Sequence, residues 1–242
     1  MKVSLLNDEP DSRFFQRLFK VELEAAPELE LVGASFESTE FEPQLFTQHP
    51  HISRQWVTYA NRLRQAEFFA GRYCADLALQ RWLGKCHHYC VAKGEHGEPI
   101  WPEAIVGSIA HSRRLALAVA TQHARNVGLD CEPIMNRETA MQVADIVCRS
   151  DERLRLDCDD VSYPFMLTLL FSAKESIYKA IYANVKQVLD FDCVELIAVC
   201  QQTQHARFRL MQDFSPHYTC GKEVSVYYAV FDQELITIAM NI

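Results

Sequence analysis

The sequence predicts an α+β protein made of two similar halves, and three observations lead there. Two long stretches carry apolar residues at helical spacing, Asn61–Leu83 and Pro164–Ala183. Runs rich in β-branched and aromatic residues follow each helix in sequence instead of alternating with helices, which favours α+β over a doubly wound parallel sheet. The order of helix then strands occurs twice, so the expected halves are 1–125 and 126–242.

Residues 1–60 show little periodicity beyond a strand expected over Leu29–Phe36 and an exposed connection from Phe41 to His51. The first helix is marked by Leu63, Ala66, Ala70, Tyr73 and Leu77, with Gly84 as its stop. Residues 94–102, GEHGEPIWP, read as a loop. Strands are expected over Ala104–Ile109, Leu115–Thr121 and Val127–Glu132, the last stopped by Pro133. Helical spacing returns over Glu138–Val147 and Pro164–Ala183. Four strands close the chain: Asp192–Val199, Ala206–Met211, Val224–Phe231 and Leu235–Met240, with Asp232 and Gln233 as a tight turn.

Of the 242 residues 49% are hydrophobic, enough for a core that needs no disulfide or metal staple. The formal charge of -8, from 32 acidic and 24 basic residues, argues against a general nucleic-acid binder. Nine scattered cysteines, an odd number, read as reduced thiols of a cytoplasmic protein. Met1–Ser12 lacks the apolar core of a signal peptide, and the longest apolar run, Pro164–Ala173, is too short to cross a bilayer.

Four segments could carry chemistry. In Val127-Gly-Leu-Asp-Cys-Glu132, strand alternation puts Asp130 and Glu132 on one face. Two such carboxylates repel unless a cation lies between them, and oxygen-only ligands suit a hard ion such as Mg²⁺; solvated acids at a strand end are the competing reading. In Phe171-Ser-Ala-Lys-Glu-Ser-Ile-Tyr-Lys179, Glu175 and Lys179 share a helix face beside Lys174, a setting that could hold metal and phosphate together. The rival reading makes Glu175 the partner of Ser172 in a capping box. In Gly107-Ser-Ile-Ala-His-Ser-Arg-Arg114, His111 is expected at a loop edge among hydroxyl and guanidinium groups. Arg64 and Arg72, two turns apart on the first helix, could bracket a phosphate or simply line a polar face. A fifth segment, Cys86-His-His-Tyr-Cys90, has the residue types for zinc but no second pair at finger-like spacing.

Together these segments resemble the 4'-phosphopantetheinyl transferase superfamily, the enterobactin synthase component D type in particular. The resemblance rests on Gly128-Leu-Asp-Cys-Glu132, on Phe171 to Lys179, on the R-x-x-E-F-x-x-G-R helix at Arg64–Arg72, on G-E-P-x-W-P at Gly97–Pro102 and on G-S-I-x-H at Gly107–His111. It covers 61–183 densely and the remainder loosely. It implies two halves related by a pseudo-twofold axis with the active site between them, and a chain that works as a monomer. It further implies that Asp130, Glu132 and Glu175 bind Mg²⁺ at the pyrophosphate of coenzyme A, and that Lys179 contacts the phosphates. Lys174 would assist the leaving group, Glu175 would be the base, and Arg64, Arg72, Ser108 and His111 would hold the adenosine end. The implied partner is an apo acyl, aryl or peptidyl carrier protein whose serine receives the arm, most simply in siderophore assembly, with fatty-acid or polyketide carriers as the alternative. Ala110 and His96 depart from the family pattern; His96, in place of a Lys or Arg, would make coenzyme A binding weaken as pH rises. A non-catalytic coenzyme A-binding module and a small zinc-binding interaction protein are the readings from other classes.

Overall fold

The computed structural model describes residues 1–6, 13–84, 87–149, 151–152 and 163–240. The chain divides into two compact units, Met1–Ala124 and Arg125–Ile242.

The first unit holds β1 (Lys2–Leu5), β2 (Phe15–Glu22), β3 (Glu30–Phe36), the short α1 (Leu45–Gln48), α2 (Arg62–Leu83), β4 (Ala92–Lys93), β5 (Pro99–Ile100), β6 (Val106–His111) and β7 (Leu115–Thr121). Five of the strands form one sheet in the order β1-β2-β3-β7-β6, antiparallel throughout, and β4 and β5 make a small separate hairpin. Helix α2 starts where the Asn61 side chain accepts the Arg64 N–H at 2.8 Å, relieving one of the unbonded donors of a helix start. It ends at Gly84, whose φ of 105° a residue with a side chain rarely adopts. Its buried Ala66, Ala70, Cys74 and Ala78 share a core with Ala116, Ala118 and Ala120 of β7, so small residues meet and helix and sheet come close. Around Phe69 the rings of Phe14, Phe41 and Phe46 pack at centroid distances of 5.9, 6.1 and 5.3 Å.

The second unit holds β8 (Val127–Pro133), α3 (Arg137–Val147), α4 (Tyr163–Val185), β9 (Val194–Cys200), β10 (His205–Leu210), β11 (Glu223–Phe231) and β12 (Glu234–Met240). Its sheet has the order β8-β12-β11-β10-β9, again antiparallel. Leu167, Leu170, Ala173, Ile177, Ala180 and Ile181 of α4 pack on Phe208, Leu210 and Val226 of the sheet. Asp232 and Gln233 join β11 to β12 with φ of 51° and 66°, the conformation that a two-residue hairpin turn demands. Each unit is thus a five-stranded antiparallel sheet bearing one long helix, the α+β pattern the sequence predicts.

Four local features differ from the expectation. The stretch from Phe41 to His51 is not simply an exposed connection, because it forms α1 and buries Phe41, Leu45 and Phe46. Strands β1 and β2 occupy a stretch that reads as unpatterned, because a bulge at Phe15/Arg17 breaks the two-residue alternation of β2 and β1 is a four-residue edge strand. Strand β6 lies two residues later than expected, since the turn from Pro102 to Ile105 places Ala104 at φ 63°, outside any strand. His111 therefore ends a strand, paired with Ala116, instead of lying at a loop edge.

Candidate active site

In the second unit β8 lies against α4 at unusually short range. A Cβ on Gly128 would fall 1.8 Å from the Ser176 carbonyl oxygen and 2.5 Å from the Ala180 nitrogen, so only glycine allows this approach. The result brings Asp130 and Glu132 of β8 beside Glu175 and Lys179 of α4.

Asp130 is the anchor. Lys179 Nζ donates to its Oδ1 at 2.6 Å, and Ser172 Oγ donates to its Oδ2 at 2.8 Å. Ser172 also lies 2.8 Å from Thr237 Oγ1, and the Thr237 hydroxyl donates to the Ser172 carbonyl at 2.9 Å. Thr237 faces Asp130 directly in the β8–β12 ladder. Ser172 therefore sits inside α4 with its hydroxyl committed to Asp130, and the capping-box reading of Ser172 with Glu175 is excluded.

The remaining acids are held toward their protonated forms. Glu132 is pushed up to about 8, first by burial, then by Asp130, with Glu234 and Glu175 adding to the effect and Lys179 opposing it. Glu175 is also raised, by burial and by Asp130. For Lys179 burial works against the charge, but Asp130 outweighs it and the ammonium is held above its usual range. Three carboxylates thus face one ammonium in a half-buried setting with oxygen donors only, which fits a hard divalent ion. Among the described residues, Asp130, Glu132 and Glu175 do not figure as a group whose ligand atoms all lie within 4.8 Å of one another.

Lys174 belongs elsewhere, and its expected part at the leaving group is corrected. Its ammonium is buried and donates to Val147 O at 3.0 Å, Glu152 Oε2 at 2.8 Å and Phe191 O at 2.9 Å. Three acceptors saturate three N–H groups, leaving none for a phosphate. Glu152 in turn accepts the Arg149 and Leu196 amides at 2.8 and 2.6 Å. Lys174 ties α4 to the end of α3 and the start of β9.

In the first unit Arg64 and His111 meet, with Arg64 Nη1 2.5 Å from His111 Nε2 and 3.3 Å from Glu67 Oε2. Arg72 is buried, its guanidinium 4.9 Å above the Phe68 ring and donating to Ala92 O at 3.3 Å. Its Nε has no acceptor among the described residues, an open donor that an anion would satisfy. Burial chiefly, and also the Arg64 charge, lower Arg72 to about 10, while Cys90 opposes this. Ser108 is buried on β6. His96 is exposed on the β4–β5 turn, where its amide donates to Glu98 Oε2 at 3.0 Å. Trp101 covers Gly107, whose added Cβ would lie 2.4 Å from the indole, so two of the loop motifs serve each other in packing. Of the Cys86–Cys90 segment, Cys86 lies outside the described residues and Cys90 is exposed.

Sequence reasoning missed Thr237 as a group that holds Asp130 and Glu234 as a further acid, and it weighed Ser172 only as a cap. Ser172 and Glu67 lie inside the quoted motifs, whereas Thr237 and Glu234 become visible only through the β8–β12 register.

Comparison with known proteins gives matches over both units. The model of the 4'-phosphopantetheinyl transferase N-terminal domain matches residues 53–121, and that of the 4'-phosphopantetheinyl transferase superfamily matches residues 126–238. Enterobactin synthase component D of Salmonella austin is 38% identical over 192 residues, covering 77% of this chain and 78% of the relative. The Escherichia coli K12 protein of the same name is 35% identical over 157 residues, 63% of this chain and 73% of the relative. The 4'-phosphopantetheinyl transferase Npt of Nocardia iowensis is 33% identical over 166 residues, 67% and 72% of the two chains.

Proposed function

The chain belongs to the 4'-phosphopantetheinyl transferase superfamily, and from that premise we propose that it moves the phosphopantetheine arm of coenzyme A onto a serine of apo aryl or peptidyl carrier domains, releasing 3',5'-ADP. The observation that carries this reading is the gathering of the Asp130, Glu132 and Glu175 carboxyl groups about the ammonium of Lys179, close enough that burial and Asp130 hold Glu132 and Glu175 toward their protonated forms.

Asp130, Glu132 and Glu175 are the residues that would hold Mg²⁺, which when bound supplies charge neutralisation at the pyrophosphate. Asp130 is kept in place by Ser172 and Lys179, so its orientation is set before substrate arrives. Lys179, partly exposed, offers its remaining N–H groups to a phosphate. Glu175, whose carboxyl is raised, is the base for the carrier serine. In the transfer the serine Oγ bonds to the β-phosphorus, the bond from that phosphorus to the bridging oxygen breaks, and 3',5'-ADP leaves with that oxygen. The serine proton goes to Glu175. Arg64, Arg72, Ser108, His111 and His96 are assigned to the adenosine end of coenzyme A; the open Nε of Arg72 supports this.

The names of the Salmonella and Escherichia relatives support a siderophore assembly line as the setting, with an aryl carrier as substrate. The free thiols support a reducing compartment such as the cytoplasm. Among the described residues no helix is long and apolar enough to cross a membrane.

The test is to incubate the protein with coenzyme A, Mg²⁺ and either an apo aryl carrier or an apo fatty-acid carrier, then weigh the carriers. A gain equal to the arm, greater on the aryl carrier and lost in a folded Glu175→Gln variant, is expected. No gain on either carrier would refute the transfer, and equal rates on both would refute the siderophore assignment.

A further inference from the structure

Three separate segments of the first unit converge on one carboxylate. His51 comes from the connection after α1, Asp76 from the middle of α2, and His88 from the segment just beyond α2. His88 Nδ1 lies 2.7 Å from Asp76 Oδ2, and His51 Nε2 lies 3.1 Å from the same oxygen. The two imidazole rings are stacked, 10° from parallel with centroids 4.3 Å apart. The three donor atoms all fall within 4.8 Å of one another.

Simple hydrogen bonding accounts poorly for this cluster. Oδ2 is also the acceptor of the Gln80 amide at 2.7 Å, and that same amide nitrogen lies 3.1 Å from His88 Nδ1. One oxygen is thus approached by three groups. His51 Nε2 is buried and meets Oδ2 at 3.1 Å as an ion-pair contact, without a well-aligned hydrogen bond to any group among the described residues. A buried nitrogen left in that state costs stability unless another group meets it. The other oxygen, Oδ1, accepts the Tyr89 amide at 2.7 Å, which fixes the carboxylate plane and leaves Oδ2 to face the histidines. Burial works to raise Asp76, but contacts from His51, the Tyr89 amide and His88 outweigh it, and the group stays an anion below its ordinary range.

We propose that His51 Nε2, His88 Nδ1 and Asp76 Oδ2 bind one divalent transition ion of the zinc type. Two imidazoles and a carboxylate are ligands of intermediate softness, suited to zinc and its neighbours and poorly suited to Mg²⁺. His88 is 62% exposed on its side chain while Asp76 is 3% exposed, so the ion enters from the His88 side and keeps a solvent position there. Ligation requires the 2.7 Å contact to open slightly as the Asp76–His88 hydrogen bond gives way to the metal, with the Gln80 amide remaining as an outer donor to the carboxylate. The ion would fasten the segments around His51 and His88 to α2, one helical turn after Arg72. This inference does not depend on the transferase reading. It takes His88 from the Cys86–Cys90 segment but gives that residue different partners.

The test uses full-length protein stripped of metal and titrated with Co²⁺ in excess Mg²⁺. One equivalent should produce weak ligand-field bands without intense thiolate charge-transfer absorption, and Zn²⁺ should displace it. His88→Gln and His51→Gln should each weaken Co²⁺ binding at least about tenfold while circular dichroism stays unchanged. Cys90→Ser should leave the spectrum as it is. Should either histidine variant fail to fold, a rise in melting temperature of the native protein with one equivalent of Zn²⁺, absent with Mg²⁺ alone, takes its place. The proposal is overturned by the lack of a saturable Co²⁺ site, by thiolate charge-transfer bands, or by unchanged affinity in both histidine variants.

Discussion

Replacing Gly128 with alanine tests whether the short approach of β8 to α4 sets up the proposed site. The new methyl would lie 1.8 Å from the Ser176 carbonyl oxygen and 2.5 Å from the Ala180 nitrogen, both helix backbone atoms that cannot rotate away. Ordinary contact begins at 3.4 Å, so strand and helix must part by about 1.6 Å, the difference between the two figures. Ser176 and Ala180 each follow directly after Glu175 and Lys179, so the displacement falls on both. Overpacking of this kind costs about 1–3 kcal/mol of stability, and misplacing reacting groups by about 1 Å costs on the order of 100-fold in rate. Urea unfolding and carrier mass measured on the same preparation would separate the two effects. A Gly128→Ala protein with native stability and native kcat/KM would show that the approach has no bearing on the site.

The other predictions concern charge. Because Glu132 lies near 8 in the folded chain against an ordinary 4.5, its stability contribution without metal is full below 4.5 and is lost as pH rises through about 8. A divalent ion must displace that proton, so apparent Mg²⁺ affinity should rise about tenfold per pH unit below 8 and level off above it. Calorimetry in buffers of differing ionisation enthalpy reads the released proton, and a flat profile would contradict the assignment. Lys174→Met should destabilise by about 3–5 kcal/mol through the stranded Glu152. The Lys174→Met/Glu152→Leu double variant, where folded, should retain transfer activity, and its inactivity would restore a catalytic part for Lys174. Arg64→Ala should raise the KM for coenzyme A about tenfold or more with little change in kcat, and should matter less for coenzyme A lacking the 3'-phosphate. An equal effect on both substrates would place Arg64 elsewhere.

The elements legible in the sequence are those whose pattern is local. Helices α2 and α4 show their buried faces in a period near four, and β7 falls where Leu115–Thr121 was expected. Strand β2 was hidden because its bulge shifts the alternation midway, and β6 was placed two residues early because the turn at Ala104 leaves no mark in residue type. The site divides in the same way. Asp130, Glu132, Glu175 and Lys179 could be named from two short motifs, and their electrostatic coupling is visible in the structure. The groups that hold them depend on pairing between distant strands, as Thr237 does with Asp130. Lys174 misled for a related reason: its neighbour in sequence is the candidate-site residue Glu175, but 100° of helical rotation turns Lys174 toward Glu152. The His51–Asp76–His88 cluster joins three segments, and no spacing rule connects them.

The central claim is that three acids of one unit share a single divalent ion, and electron paramagnetic titration with Mn²⁺ in the presence of coenzyme A addresses it without relying on turnover. The native chain should bind one equivalent that Mg²⁺ competes away, and Asp130→Asn, Glu132→Gln and Glu175→Gln should each weaken it sharply. Full-strength binding of one equivalent in a folded protein carrying all three substitutions would contradict the account.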